Sequence, residues 1–201
     1  MNKAMNNFTD DIDGFINIMG NLKEAKESVI TGNEYTGVRD TFTEYYNQLQ
    51  DKLEDIFTNF SDDQHDMLNK EVENYICRRL YPKLYPSEPI DRDTKFYNRC
   101  LLLEWLNYQH LDIPVKFRKT ELWDYAVETF QKTDARITPL DKLKVFVETF
   151  KIITQVTELA SQKGPSGSDE TVPLVIYIVL RAKPKRMYSN LHFINSLRDS
   201  Q

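Results

Sequence analysis

Few side chains in this sequence have the types and spacing that covalent chemistry needs. His65, His110 and His192 stand far apart, none with a Cys, Asp or Glu at metal-ligand spacing, so a metal centre has no support. No G-x-S-x-G, Walker loop or G-x-G-x-x-G occurs, and Gly164-Pro165-Ser166-Gly167 lacks the lysine and the preceding strand that a phosphate cradle requires. The sequence therefore implies no cofactor and no nucleotide site of its own. Asp62 and Asp63 read as first-turn residues of a helix and not as an acid and base pair. Cys77 and Cys100 lie among apolar residues with no CxxC, which fits buried free thiols in a reducing compartment. What is left is a pair of anions, Asp169 and Glu170, ahead of Pro173 and the apolar run Val172 to Leu180. Taken alone, a carboxylate at a helix start contributes only about 0.3–1 kcal/mol through the helix dipole.

The elements that must position these residues all read as helices. Only 6 Gly and 8 Pro occur, and they fall between periodic segments, as in helices joined by short connections. A first helix is expected around Phe8, Ile12, Phe15, Ile16 and Met19. A longer apolar stripe runs from Val38 through Phe42, Tyr45, Tyr46, Leu49, Leu53, Ile56, Phe57 and Phe60. Ser61-Asp62-Asp63-Gln64 has the form of a capping box and predicts a helix start, with a stop near Pro82. The segment Tyr81 to Pro89 is the expected domain boundary. Beyond it, Phe96 to Tyr108 is apolar on two sides and predicts a largely buried helix, broken at Leu111-Asp112-Ile113-Pro114. Further helices are expected from about Lys119 to Phe130 and from Pro139, with Thr138 as N-cap. Ser161 to Ser168 reads as a loop. Val172 to Leu180 is rich in β-branched residues, yet a lone strand could not satisfy its backbone, so a core helix buried on most sides is expected.

Composition bounds the classes of function. With 40% hydrophobic and 12% aromatic residues, the chain has the apolar surface to fold. A net charge of −5, with basic residues dispersed, disfavours nucleic acid as a partner. The local cluster Arg181, Lys183, Lys185 and Arg186 reads as a solvated helix end. The N-terminal stretch carries Asp10, Asp11 and Asp13 where a signal peptide needs a basic and then an apolar run, and no apolar run approaches the roughly 20 residues of a membrane span. A cytoplasmic location is expected, without a transmembrane segment.

A longer pattern joins these pieces. An acidic pair three to four residues before a Pro, a long apolar helix, a turn at Lys183-Pro184 and then Ser189-Asn190 followed by Ile194 resemble the Vps-nine-type guanine-nucleotide exchange domain, found in activators of early-endosomal Rab GTPases. That family typically shows two acids, any residue, Leu and Pro. Asp169-Glu170-Thr171-Val172-Pro173 departs only by Val for Leu. Thr138 to Leu143 is similar to the family's helix start before the loop, and, more loosely, Val72 to Pro86 followed by Phe96 to Pro114 is similar to its junction of helical bundle and core. The resemblance runs from about Val72 to the C-terminus and is specific from Thr138 on.

The resemblance implies an all-α fold in which a helical bundle, residues 1–86, packs on a layered helical exchange core, residues 87–201. It implies a Rab-family small GTPase as partner and peripheral association with endosomes. Asp169 would be the catalytic acid, a finger that enters the GTPase's nucleotide site and engages the phosphate-binding lysine. Glu170, Pro173 and Tyr177 would face the partner, Pro173 by shaping the turn that presents Asp169, with Tyr177 divided between interface and core. Ser189 and Asn190 read as caps of the following helix. Family members continue into a Gly-Tyr-rich segment and a further helix that this chain, ending at Gln201, does not show, so a core without its last helix and weaker exchange are expected. The other class of function left open is a non-catalytic helical interaction module in membrane trafficking.

Overall fold

The structure is a computed structural model that describes residues 2–21, 36–118, 120–161 and 167–197. Every regular element among them is helical, as the periodicity predicts: α1 Asn2–Asn21, α2 Thr36–Ile56, α3 Asp62–Leu84, α4 Asp91–Leu102, α5 Thr120–Gln131, α6 Pro139–Ser161, α7 Ser168–Ala182 and α8 Met187–Leu197. Short 3₁₀ turns occur at Val115–Phe117 and Lys132–Ala135. No helix among the described residues is long and apolar enough to cross a membrane.

The chain divides into two compact units. The first comprises Met1–Glu88, Ile137–Leu140 and Leu191–Gln201. Its core joins Ile12, Phe15, Ile16 and Met19 of α1 to Phe42 and Leu49 of α2, Ile76, Cys77 and Leu80 of α3, and Phe193 and Leu197 of α8. The start of α3 follows from Ser61 and Gln64, whose side-chain oxygen accepts the Ser61 N–H at 2.9 Å. Two expectations need correction here. Phe57 and Phe60 do not continue the α2 stripe; they lie past the helix end, with ring centroids 4.8 Å apart. Pro82 does not stop α3, which runs on to Leu84. The ring removes one donor, that for the Arg78 carbonyl, and Arg78 is exposed, where water can substitute.

The second unit comprises Pro89–Arg136 and Asp141–Asn190. Its core is built from Ile113 and Phe117, Trp123, Ala126 and Phe130 of α5, Ile153 of α6, and Leu174, Ile178 and Ala182 of α7. The Trp123 indole N–H donates to the Phe117 carbonyl at 2.5 Å, locking the 3₁₀ turn onto α5. The buried helix expected over 96–108 is not found: α4 ends at Leu102, and Leu102 and Trp105 are 76% and 64% exposed. The side of α4 that is buried carries Asp93 and Cys100, a polar registration that apolar periodicity could not reveal.

Candidate functional site

Gly167 precedes α7, and its carbonyl accepts the N–H groups of Glu170 and Thr171, both at 3.1 Å. The Thr171 hydroxyl donates to the same carbonyl at 3.2 Å. Asp169 is therefore the second residue of the helix, beside N–H groups that have no intrahelical acceptor, where a carboxylate opposes the helix dipole. It is exposed, and among the described residues it has no ion pair or side-chain hydrogen bond.

At about 100° per residue, Asp169, Val172, Pro173, Ile176 and Leu180 share one face of α7 roughly 100° wide. Thr171, Leu174, Ile178 and Ala182 lie opposite and are buried, chiefly against α5. The helix is thus not enclosed on most sides as its composition suggested. Val172 and Ile176 are 52% and 44% exposed, whereas Leu174 is 0% exposed. One side of the apolar run is core; the other continues the surface that Asp169 begins.

The remaining expected site residues separate. Glu170 turns away to an ion pair with Lys116, whose Nζ lies 2.8 Å from Glu170 Oε1. Pro173 sits inside α7, not in a turn before it, and so has no N–H for the Asp169 carbonyl four residues back. Tyr177 is half-buried, its ring stacked on Tyr108 at 4.4 Å and its centroid 5.1 Å from the Arg181 guanidinium. The basic end of α7 is tied down and not simply solvated. Arg181 donates to the carbonyls of Glu104 and Leu106 at 3.0 and 2.9 Å, and Lys183 pairs with Glu104 at 2.5 Å. That hydrogen bond holds the Glu104 carboxyl below its ordinary pKa.

Ser189 and Asn190 are not caps. They are the third and fourth residues of α8, and a cap must precede its helix. Both are fully buried. The Ser189 N–H donates to Asp93 Oδ1 at 2.9 Å and its hydroxyl to Asp93 Oδ2. Asn190 Oδ1 accepts from Lys142 Nζ at 2.7 Å, and Asn190 Nδ2 donates to Asp134 Oδ1 at 2.7 Å. Asp93, Asp134 and Lys142 meet the Ser-Asn pair only through the fold, while Asp93 also accepts the Ile90 N–H at 3.3 Å and Asp134 the Lys185 N–H at 2.9 Å.

The family model for the vacuolar sorting protein 9 (VPS9) domain matches residues 123–201, which contain this α7 surface and the buried Ser-Asn pair. Vacuolar protein sorting-associated protein 9A of Oryza sativa subsp. japonica is 26% identical over 144 residues, 69% of this chain and 30% of that protein. Rab5 GDP/GTP exchange factor of Homo sapiens is 30% identical over 130 residues, 62% of this chain and 26% of that protein. GTPase-activating protein and VPS9 domain-containing protein 1 of Homo sapiens is 24% identical over 147 residues, 70% of this chain and 10% of that protein. The chain thus spans under a third of the length of each of these relatives. Motif, helical fold and family match agree: residues 123–201 of this chain are similar to the VPS9 domain family.

Proposed function

We propose that this chain is a guanine-nucleotide exchange factor that promotes GDP release from an early-endosomal Rab-family GTPase, with Asp169 as its acidic finger. The observation that carries this reading is the α7 surface, where an exposed carboxylate without an ion pair among the described residues is continuous with exposed Val172 and Ile176. Relatives named as Rab5 exchange factors support the choice of partner. The same reading has the protein act from the cytoplasm, in peripheral association with endosomes.

An anion delivered to the nucleotide site competes with phosphate for the cation that holds it and disfavours bound magnesium. Magnitudes show that it does not act alone. A charge pair at 4 Å near a protein surface contributes about 4 kcal/mol, whereas a nanomolar to picomolar nucleotide is held by roughly 12–16 kcal/mol. The apolar part of the α7 face supplies the remaining grip, so that the nucleotide-free complex becomes an accessible intermediate.

The test is release of a fluorescent guanine nucleotide from a panel of Rab GTPases. The parent is expected to accelerate release, and Asp169→Ala to slow it by at least about tenfold, a change of 1.4 kcal/mol in the barrier. Glu170→Ala should lose less, with circular dichroism unchanged in both. Binding without acceleration by the parent would make the chain a non-catalytic interaction module. An active parent indifferent to Asp169→Ala would remove the finger from the mechanism.

A further inference from the structure

Glu170 and Asp169 are neighbours of the same charge in one helical turn, and the structure treats them differently. The cause is a residue more than fifty positions upstream. Lys116 Nζ lies 2.8 Å from Glu170 Oε1 and 3.2 Å from Ser161 Oγ at the end of α6. It also lies 4.5 Å from the centroid of the Phe117 ring. Its own backbone is fixed from several directions. Phe117 is buried and its carbonyl holds the Trp123 indole, while Arg118 donates through Nε to the Ile113 carbonyl at 2.9 Å. A rigid 3₁₀ turn therefore offers a cation to both the first turn of α7 and the last turn of α6.

We infer that Lys116 is a positioning residue for exchange: by holding Glu170, it fixes the first turn of α7 and leaves Asp169 as the carboxylate presented to the GTPase. This rests on the exchange reading above. Two consequences follow from the geometry. Loosening Glu170 by loss of its Lys116 partner would favour competition of two adjacent carboxylates for one phosphate-binding cation, in two registers about 100° apart around the helix. It would also remove one of the ties that limit how far the Asp169 carboxylate wanders, and a catalytic group loses rate steeply when misplaced. The apolar grip of Val172 and Ile176 would be untouched. Lys116 thus governs the maximal rate and not the affinity for the GTPase.

The experiment uses the full chain and follows fluorescent GDP release from a Rab-family GTPase as the concentration of the GTPase complex is raised, with thermal melts on each variant. Lys116→Ala is expected to lower the maximal rate about three- to fivefold, the range a partly exposed ion pair can supply, with the half-saturating concentration unchanged within about twofold. Lys116→Arg should retain the rate. The exchanged pair, Lys116→Glu with Glu170→Lys, should recover it to within about twofold of the parent. In an Asp169→Ala background, Lys116→Ala should cause no further loss, because its loss acts through that carboxylate. A Lys116→Ala variant as fast as an Asp169-dependent parent overturns the inference and leaves the exchange reading intact. So does a loss that the exchanged pair fails to recover, or one that follows a lowered melting temperature. A parent with no exchange activity overturns both.

Discussion

Lys142 is fully buried, yet it carries an ammonium that donates to the Thr133 carbonyl at 3.1 Å and to Asn190 Oδ1 at 2.7 Å. Burial pushes its pKa down to about 8 from 10.5, with Arg186 acting in the same direction and Asp134 opposing. The sign of the linkage follows. Between about pH 8 and 10.5 the unfolded chain still binds a proton that the folded chain has released, so stability rises with pH through that window. The contribution from this one group is at most about 1.4 kcal/mol per pH unit. Urea denaturation at pH 7.5, 9 and 10 is expected to show this rise in the parent and to lack it in Lys142→Met. Parallel profiles for the two proteins would mean that the lysine is not desolvated as the structure indicates. Asn190→Ala is predicted to be worse than Lys142→Met, because it keeps the buried ammonium while taking away its Oδ1 acceptor, together with the amide donor to Asp134 Oδ1; the midpoints of the same titrations rank them.

At the scale of the element, α7 divides its apolar residues between two tasks. Ile178 is buried against the core and Ile176, two residues earlier, is on the opposite side and exposed. Ile178→Ala is therefore expected to cost about 2–4 kcal/mol of stability through lost burial and a residual cavity. Ile176→Asp should change stability by no more than about 0.5 kcal/mol, because surface positions tolerate substitution. Exchange should respond the other way round: Ile176→Asp is expected to raise the half-saturating concentration of the Rab complex at least tenfold, since it puts a charge into an apolar contact. Thermal melts and release kinetics on the same two variants test the division. If Ile176→Asp exchanges like the parent, the partner does not use this face.

At the scale of the molecule, the final helix contributes to the first unit's core. Phe193 packs edge-on to Tyr81 and Tyr85, with centroids 5.6 and 5.4 Å away, and Leu197 is buried in the same cluster. The helices α1 and α3 thus share a core with residues more than a hundred positions downstream. Phe193→Ala is predicted to destabilise that unit by about 3–5 kcal/mol. Hydrogen exchange is the measurement that localises the loss, and it should appear as lowered protection in α1 and α3. Protection lost only within α8 would show that the helix is peripheral to that core.

The sequence by itself determined the helices, the capping box at Ser61, the start of α6 at Thr138-Pro139 and the exposed acid of α7, because these depend on spacing, dihedral preference and turn chemistry within a few residues. It also carried the resemblance to the VPS9 domain family, since the motif from Asp169 to Ile194 is contiguous. Apolar periodicity overstated burial at Leu102, Trp105, Val172 and Ile176, because it reports which residues could be buried and not which side meets a neighbour. Pairings across long separations lay beyond it altogether: Lys116 with Glu170, Asp93 with Ser189, Lys142 with Asn190, and Phe193 with the first unit. Only the tertiary structure decided these, for a physical reason. A charged or polar side chain is equally satisfied by water until the fold removes the water, and the partner that replaces it is set by which helices meet there.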